Sequence, residues 1–410
     1  MLALGGLWLS LACLANAQSR ALTSLDPATA LAWDPGNPRA RSRLAELYTE
    51  NGGDASNARM ARELALSALT QAPLDGASLR VLGIEAQRAG DLPGAARLMA
   101  ASDRVTRRDS TTQLWLLDQA IRRGAYSLAY DKAEVVLAGA PASAAQVFPV
   151  LRMSLQDPRA AALLTERLAR RPPWRERFVA DVFAHQDDVD AARRLYAALS
   201  AGPAKPTAGE TGALVKRLAD EHAYLEAHDL WRRTLSVAFR GGGGGVYDGG
   251  FRGGPGAAPF NWRLSNGSDA FAELARAPDG RPALHVQFST GADARLAEQL
   301  MVLPPGAYRL RGAALLTDRQ APDQLAWSVT CAEGARAVLA RAVQGAAGGA
   351  DWTSFDVAFE VPAEGCGAQW LSLRGLAQDR FGTLEAWCRD LDVMPATMAA
   401  RAGAAADVRS

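Results

Sequence analysis

The sequence predicts a multidomain α + β protein, with an N-terminal α-solenoid of helix-turn-helix repeats followed by an antiparallel β-sandwich of the jelly-roll type. Three observations predict this. Ala, Leu and Arg at helical spacing dominate the chain before the glycine run at residues 241–245. Short runs rich in Trp, Phe, Val and Thr, separated by Pro and Gly, follow that run. In the first part, prolines also recur with the period of a repeat.

Length and charge set the first limits on function. The chain has 410 residues, enough for two or three domains that each bury a core without a stabilising cofactor. Its 45 Lys and Arg against 44 Asp and Glu leave a formal net charge of +1. Such a chain has no overall field that would attract nucleic acid or an anionic membrane. We therefore expect no cofactor and no nucleic-acid partner.

The first residues resemble an export signal. An apolar stretch at residues 2–17 ends in Ala15-Asn16-Ala17, the small-x-small pattern that signal peptidases cleave. At about 16 residues it is shorter than the roughly 20 that span a bilayer. Residues 1–20 are thus expected to be a signal peptide or a membrane anchor. The protein would be periplasmic, or tethered through residues 2–17 to the inner membrane and facing the periplasm; secretion is the alternative.

The cysteines fit an exported protein. Beyond the leader the sequence has only Cys331, Cys366 and Cys388, none of them in a C-x-x-C pair. Cys331 and Cys366 lie beside two strand-like runs, so neighbouring strands could join them in a disulfide. The alternative is three buried free thiols in a reducing compartment.

The helical half has an internal period. Its marker prolines are spaced about 31–35 residues apart if one is missing near Asp109, close to the 34-residue period of helix-turn-helix repeats. They are Pro38, Pro73, Pro141, Pro172 and Pro206. Between them, Leu82-Gly83 and Ala95-Ala96 place small residues where two helices must approach closely. The scheme recurs from Leu114 to Pro141.

These residues resemble the tetratricopeptide repeat (TPR) family, in which a Leu-Gly pair in the first helix, a small residue in the second and a closing Pro recur. The resemblance covers residues 38–240, is best at 77–141 and fades after Pro172. It implies a right-handed superhelix of stacked helix pairs whose concave groove takes a protein partner. A spacer without a partner is the alternative. We assign residues 21–240 to this TPR-like domain.

The second half is predicted to be a sandwich. A Gly-rich linker is expected at residues 241–256, a jelly roll at 246–394 and a disordered tail at 395–410. Eight strand-like runs are separated by turn residues. They cover residues 284–289, 295–303, 306–316, 325–331, 337–343, 352–361, 369–376 and 384–393.

This half resembles the jelly-roll carbohydrate-binding modules and the galactose-binding-like domains. The resemblance rests on Tyr247-Asp248-Gly249-Gly250-Phe251, a downstream Trp262, and a closing strand that contains Asp390 and Asp392. It implies a glycan ligand and, in many such domains, a structural calcium ion. Arg252 stands where the acidic calcium ligand would be. Asp248 and Asp390 alone are too few for calcium, so we expect no metal.

Exposed aromatic rings are the expected sugar-binding groups, since their faces pack on the C–H groups of a pyranose. Trp262 and Trp352 lie where loops meet strands and are predicted to be exposed ligand-binding residues, together with Asp248. Trp327, Trp370 and Trp387 are assigned to the core.

No catalytic motif stands out, so the protein is predicted not to be an enzyme. A nucleophile elbow is missing, and the glycine run lacks the flanking strand and helix of a phosphate loop. Our hypothesis is an exported bacterial protein that couples a protein partner in the repeat groove to a polysaccharide, in surface or exopolysaccharide assembly or export. The alternatives are a protein scaffold without a glycan ligand and an accessory part of a glycan-active enzyme system.

Overall fold

In a computed structural model, the chain divides into two compact units, Met1–Arg175 and Glu176–Ser410. The structure describes residues 14–52, 54–185, 189–239, 245–316, 324–334, 336–344, 351–377 and 382–397. Most of the predicted leader and tail, and residues 241–244 of the glycine run, lie outside these ranges. The units do not follow the predicted boundary at residues 241–256, because the last helices before the glycine run belong to the same unit as the sheets.

The first unit consists of helices joined by short turns. They are α1 (Pro27–Trp33), α2 (Pro38–Glu50), α3 (Ala55–Gln71), α4 (Gly76–Arg88), α5 (Leu92–Val105), α6 (Ser110–Arg122), α7 (Tyr126–Gly139), α8 (Ala144–Ser154) and α9 (Pro158–Ala169). Aspartates set where many of them begin. Asp75, Asp91 and Asp109 each accept a hydrogen bond from a backbone N–H in the first turn of the following helix.

The predicted period is visible in the helix starts. Gly76, Ser110 and Ala144 open α4, α6 and α8 at intervals of 34 residues. The helices of a hairpin approach closely at Gly83, where an added Cβ would lie 3.1 Å from the Met99 side chain. The helical fold of this half is confirmed, whereas membership in the TPR family stays a prediction.

The second unit begins with four more helices: α10 (Arg175–His185), α11 (Val189–Ala201), α12 (Ala208–Asp220) and α13 (Tyr224–Thr234). A capping box starts α12, with the Thr207 hydroxyl bonded to the Glu210 N–H and the Glu210 carboxylate bonded to the Thr207 N–H. No helix in the described ranges has both the length and the apolar character needed to cross a bilayer.

Two antiparallel sheets follow. The strands are β1 (Arg263–Leu264), β2 (Ala270–Arg276), β3 (Pro282–Ser289), β4 (Ala294–Met301), β5 (Gly306–Leu316), β6 (Leu325–Cys331), β7 (Val338–Gln344), β8 (Thr353–Val361), β9 (Gln369–Gly375) and β10 (Thr383–Pro395). Sheet A has the order β1-β4-β9-β6-β7, and sheet B the order β2-β3-β10-β5-β8. Without β1 and β2, each sheet has the four-strand order of a jelly roll.

The predicted sandwich is confirmed, and all eight predicted runs overlap strands. The eight predicted runs do not include β1, which has only two residues, or β2. The sequence of β2, Ala-Phe-Ala-Glu-Leu-Ala-Arg, is composed mostly of residues that favour helices. Pairing with β3 along its whole length overrides that preference.

The core of the second unit lies between the two sheets. Leu371 and Leu373 of sheet A and Phe288 and Leu384 of sheet B are among its members, and each is at most 1% exposed. Trp327 fills the space between them and has no exposed surface. Its assignment to the core is confirmed.

Candidate functional site

The outer face of sheet A carries a polar groove with an aromatic ring in it. Along β9, Leu371 and Leu373 point into the core, while Trp370, Ser372 and Arg374 alternate with them and point outwards. Trp370 is half-buried rather than enclosed. Its assignment to the core is therefore wrong, because the strand period places it on the opposite face.

Strand register brings polar side chains from four strands into one row across this face. Glu298 of β4 lies opposite Arg263 of β1 on one side and Ser372 of β9 on the other. Ser328 of β6 lies opposite Ser372, and their hydroxyl oxygens are 3.0 Å apart. A ligand crossing the sheet would meet charged and hydroxyl groups in turn.

Trp370 belongs to the next row. It lies opposite Leu300 of β4 and Thr330 of β6. The groove has a volume of about 320 Å³. Its remaining lining residues are Arg295, Arg336, Val338 and Arg374.

Glu298 organises the charged side of the groove. Its side chain is only 7% exposed, and its carboxylate accepts hydrogen bonds from Arg263 at 2.5 Å and pairs with Arg295 at 3.0 Å. The Arg263 guanidinium carbon also lies 5.8 Å from the centre of the Trp370 ring. Glu298 therefore fixes Arg263 beside the aromatic ring, and its single carboxylate engages only part of the five N–H donors that each arginine carries.

One end of the groove is extended by the helical hairpin of the same unit. A second cavity, of about 360 Å³, shares Arg263, Arg336 and Trp370 with the groove. Lys216, Asp220, His222 and Tyr224 line its helical side. His222 occupies the turn between α12 and α13 with φ of 60°, and Tyr224 is buried.

The arrangement suits a ligand with both apolar faces and polar edges. The Trp370 ring offers a flat surface for C–H groups, and the hydroxyls of Ser328 and Ser372 both donate and accept hydrogen bonds. Arg374 supplies a further group of fixed donors and is 47% exposed.

Trp262 lies elsewhere. It is buried, its ring centre is 5.3 Å from that of Phe251 and 5.7 Å from that of Trp327, and its N–H donates to the Asp248 carbonyl. The expectation that Trp262 is exposed is therefore wrong. The loop that carries Phe251 covers a ring that the sequence placed at the surface.

Asp248 closes the loop in which it lies. One carboxylate oxygen accepts from the N–H of Arg252, and the other from those of Gly253 and Gly254. Backbone atoms also join this loop to the closing strand, since the Leu391 N–H donates to the Gly249 carbonyl. These hydrogen bonds show that Asp248 stabilises its own loop, a role that the sequence did not predict.

Asp248 and Asp390, the possible calcium ligands, do not belong to a metal-binding cluster in the described part of the chain. Asp390 has a largely exposed side chain 3.5 Å from the Arg389 guanidinium. Among the described residues, no group of three or more His, Cys, Asp or Glu is placed to hold a metal ion.

The two remaining tryptophans are associated with sheet B. Trp352 precedes β8 and is half-buried, with the Arg389 guanidinium 3.8 Å from its ring centre. Trp387 of β10 is also half-buried and stacks on His285 of β3 at 4.2 Å. Placing Trp387 in the core is therefore wrong. Trp352 and Trp370 belong to different sheets and form no common site.

Cys331 and Cys366 are joined by a disulfide, with their Cα atoms 5.0 Å apart. It connects the end of β6 to the segment before β9. Cys388 is a free, buried thiol.

No family model matches the sequence, and no curated protein shows significant similarity to it. Similar solved structures include a family 4 carbohydrate-binding module, which is 15% identical in sequence and has a TM-score of 0.26. The match covers 33% of this chain and 88% of the module. A family 61 module in complex with β-1,4-galactotriose has 15% identity, the same two coverages and a TM-score of 0.23.

A family 22 xylan-binding domain from Paenibacillus barcinonensis is 14% identical in sequence and has a TM-score of 0.23. The match covers 33% of this chain and 85% of that domain's chain. These similarities concern the β-sandwich.

Proposed function

We propose that the second unit binds a glycan chain in the groove on the outer face of sheet A, and that the protein acts as a non-catalytic binding protein. The observation that carries this proposal is Trp370. A half-buried indole on a sheet face, flanked by Arg263 on one side and by hydroxyl groups on the other, has the composition of a sugar subsite.

The charges of the groove support a binding role without catalysis. Glycoside cleavage uses a pair of carboxyl groups, one of which must take or give a proton. Glu298 is the one carboxylate among the residues that line the groove itself in the described part of the chain, whereas Asp220 lines the adjoining cavity. Two arginines engage Glu298. Such pairing gives Glu298 the role of positioning Arg263 and Arg295.

We further propose that the helical repeats bind a protein partner, so that the chain couples this partner to a polysaccharide during surface or exopolysaccharide assembly or export. The Cys331–Cys366 disulfide supports an exported protein, because disulfides persist in oxidising compartments such as the periplasm. The apolar leader at residues 2–17 supports the same location.

Affinity gel electrophoresis of the full chain tests the glycan proposal. Soluble xylan, galactan, hydroxyethylcellulose, alginate and polygalacturonate serve as probes, each cast into a native gel. We expect retardation by at least one of them. Trp370→Ala should weaken the affinity about thirty-fold, the effect of truncating a tryptophan that dominates an interface.

Trp387→Ala is the matched control, because Trp387 is also a half-buried tryptophan on an outer sheet face. It should migrate like the unmodified protein in every gel. Equal loss in both variants would assign the effect to stability, and retardation by none of the probes would favour a protein scaffold without a glycan ligand.

A further inference from the structure

We propose that the glycan bound in the sheet A groove is acidic, a chain whose sugar units carry carboxylate groups. This inference rests on the proposed function and names the class of ligand for the same site. The basis is the charge of the groove. Four of its ten lining residues are arginines and one is a glutamate, which leaves an excess of three positive charges.

This excess is local. The whole chain carries a formal net charge of only +1, so a random patch of its surface would be close to neutral. The groove concentrates cationic groups around Trp370 on one face of one sheet. A concave site lined by one sign of charge focuses its field on a ligand of the opposite sign.

The arginines retain hydrogen-bonding capacity for a ligand. Arg263 and Arg295 share the single carboxylate of Glu298, yet their side chains are 50% and 56% exposed. A guanidinium group has five N–H donors, and one shared carboxylate cannot use those of two arginines. The free edges of both side chains therefore remain available to an anion.

Two further arginines are held even less firmly. Arg374 lies 3.7 Å from Asp293, both side chains being about half exposed, which makes a weak ion pair. Arg336 is exposed, and no residue in the described ranges forms an ion pair with its side chain. Guanidinium groups match the two oxygens of a carboxylate, so these side chains suit uronate units on either side of the Trp370 ring.

A nucleic acid is a weaker candidate for this groove. Proteins that bind single strands stack successive bases on several aromatic side chains along a basic track. Trp370 is the only aromatic residue among those that line the groove in the described part of the chain. The hydroxyl groups of Ser328, Thr330 and Ser372 fit the alternating hydroxyls of a sugar chain better.

The experiment compares each acidic glycan with its own neutral form. The full chain is tested by affinity electrophoresis on polygalacturonate and alginate, and on the same polymers after chemical reduction of their carboxyl groups to alcohols. We expect at least one of the two acidic polymers to bind ten-fold or more tightly than its reduced form. Raising the salt from about 20 to about 200 mM should weaken this binding, since exposed charges become screened.

Two variants test the assigned residues. Arg336→Gln and Arg374→Gln should each lower the affinity for the acidic polymer about ten-fold, as expected for loss of one charge-assisted hydrogen bond. Neither should change the affinity for the reduced polymer. The matched control for Arg374→Gln is Arg309→Gln on β5, because Arg309 is likewise a partly exposed, ion-paired arginine but lies in sheet B. It should leave both affinities unchanged.

The outcomes separate this inference from the proposed function. If the reduced polymer is bound as tightly as its acidic form, or if only a neutral glycan is bound, with an affinity that depends on Trp370, the site binds glycans but the acidic class is wrong. If no polymer of either kind is bound, both proposals fail. Binding of single-stranded DNA in preference to the polyuronates, abolished by Trp370→Ala, would replace the acidic glycan with a nucleic acid.

Discussion

The ring of Trp231 on α13 meets the ring of Tyr247 edge-on, with their centres 4.8 Å apart. Tyr247 belongs to the loop that leads into β1. Phe260, further along the same loop, packs on Trp231 at 5.6 Å. An aromatic cluster therefore attaches the last helix before the glycine run to the sandwich after it.

Trp231→Ala should release this attachment. With a protease site inserted between Gly242 and Gly243, the two fragments should stay together in gel filtration after cleavage. In the Trp231→Ala variant they should separate, because truncating a buried tryptophan costs roughly 3–5 kcal/mol.

Trp115→Ala provides the control, since Trp115 is a tryptophan of α6 in the first unit. Its fragments should remain associated. Separation of the unmodified fragments after cleavage would show that the aromatic cluster contributes little and that the predicted boundary at residues 241–256 divides two independent domains.

The same attachment should weaken in acid. His228 lies 5.1 Å from Phe260 and 5.8 Å from Trp231, and its burial, aided by the charge of Arg232, lowers its pKa below the ordinary 6.5. A lowered pKa in the folded state means that the neutral ring is favoured. The contribution of neutral His228 to the stability of this attachment is complete above about pH 6.5 and is lost as the pH falls.

After cleavage in the glycine run, the fragments should therefore dissociate more readily at about pH 5 than at about pH 7.5. His228→Gln cannot titrate and should show no such difference. His185→Gln, at a largely exposed histidine of α10, should keep it. Equal pH dependence in both variants would place the titrating group elsewhere.

The fold could be predicted from the sequence because each half repeats a simple pattern. A 34-residue repeat can be recognised without any knowledge of tertiary contacts. A strand with one solvent-exposed face can be recognised because apolar and polar residues alternate along it. The short β1 and the Ala-rich β2 could not be found this way. Both are strands because they pair with β4 and β3, and such pairing depends on residues distant in the sequence.

The site was harder to predict. The alternation of Trp370, Ser372 and Arg374 with leucines was visible in the sequence and would have placed Trp370 on the wet face. Assigning Trp370 to the core gives more weight to filling the space between the sheets than to this alternation. Phenylalanines such as Phe288 and Phe359 fill that space instead. The burial of Trp262 depends on the conformation of the loop that carries Phe251. The alternation of residues along strands does not predict that conformation.

The disulfide and the burial of Cys388 should together determine how many thiols react. To leave only the three sandwich thiols, the test uses full-length protein with Cys13→Ser, expressed in an oxidising compartment. Burial raises the pKa of the Cys388 thiol to about 12, so the reactive thiolate is scarce at about pH 8. No thiol should react in the native protein, and one should react after denaturation without reductant. Three reactive thiols would contradict the disulfide and the proposed compartment.

Trp262 and Trp370 should respond in opposite ways to truncation. Trp262→Ala removes a ring that packs between Phe251 and Trp327, so unfolding of the second unit should become easier by roughly 3–5 kcal/mol. Trp370→Ala removes a half-buried ring from the sheet face and should barely change the melting temperature. The two variants are compared by near-ultraviolet circular dichroism during heating. If Trp370→Ala melts as early as Trp262→Ala, the outer ring is a packing residue, and the groove loses the side chain on which its glycan assignment depends.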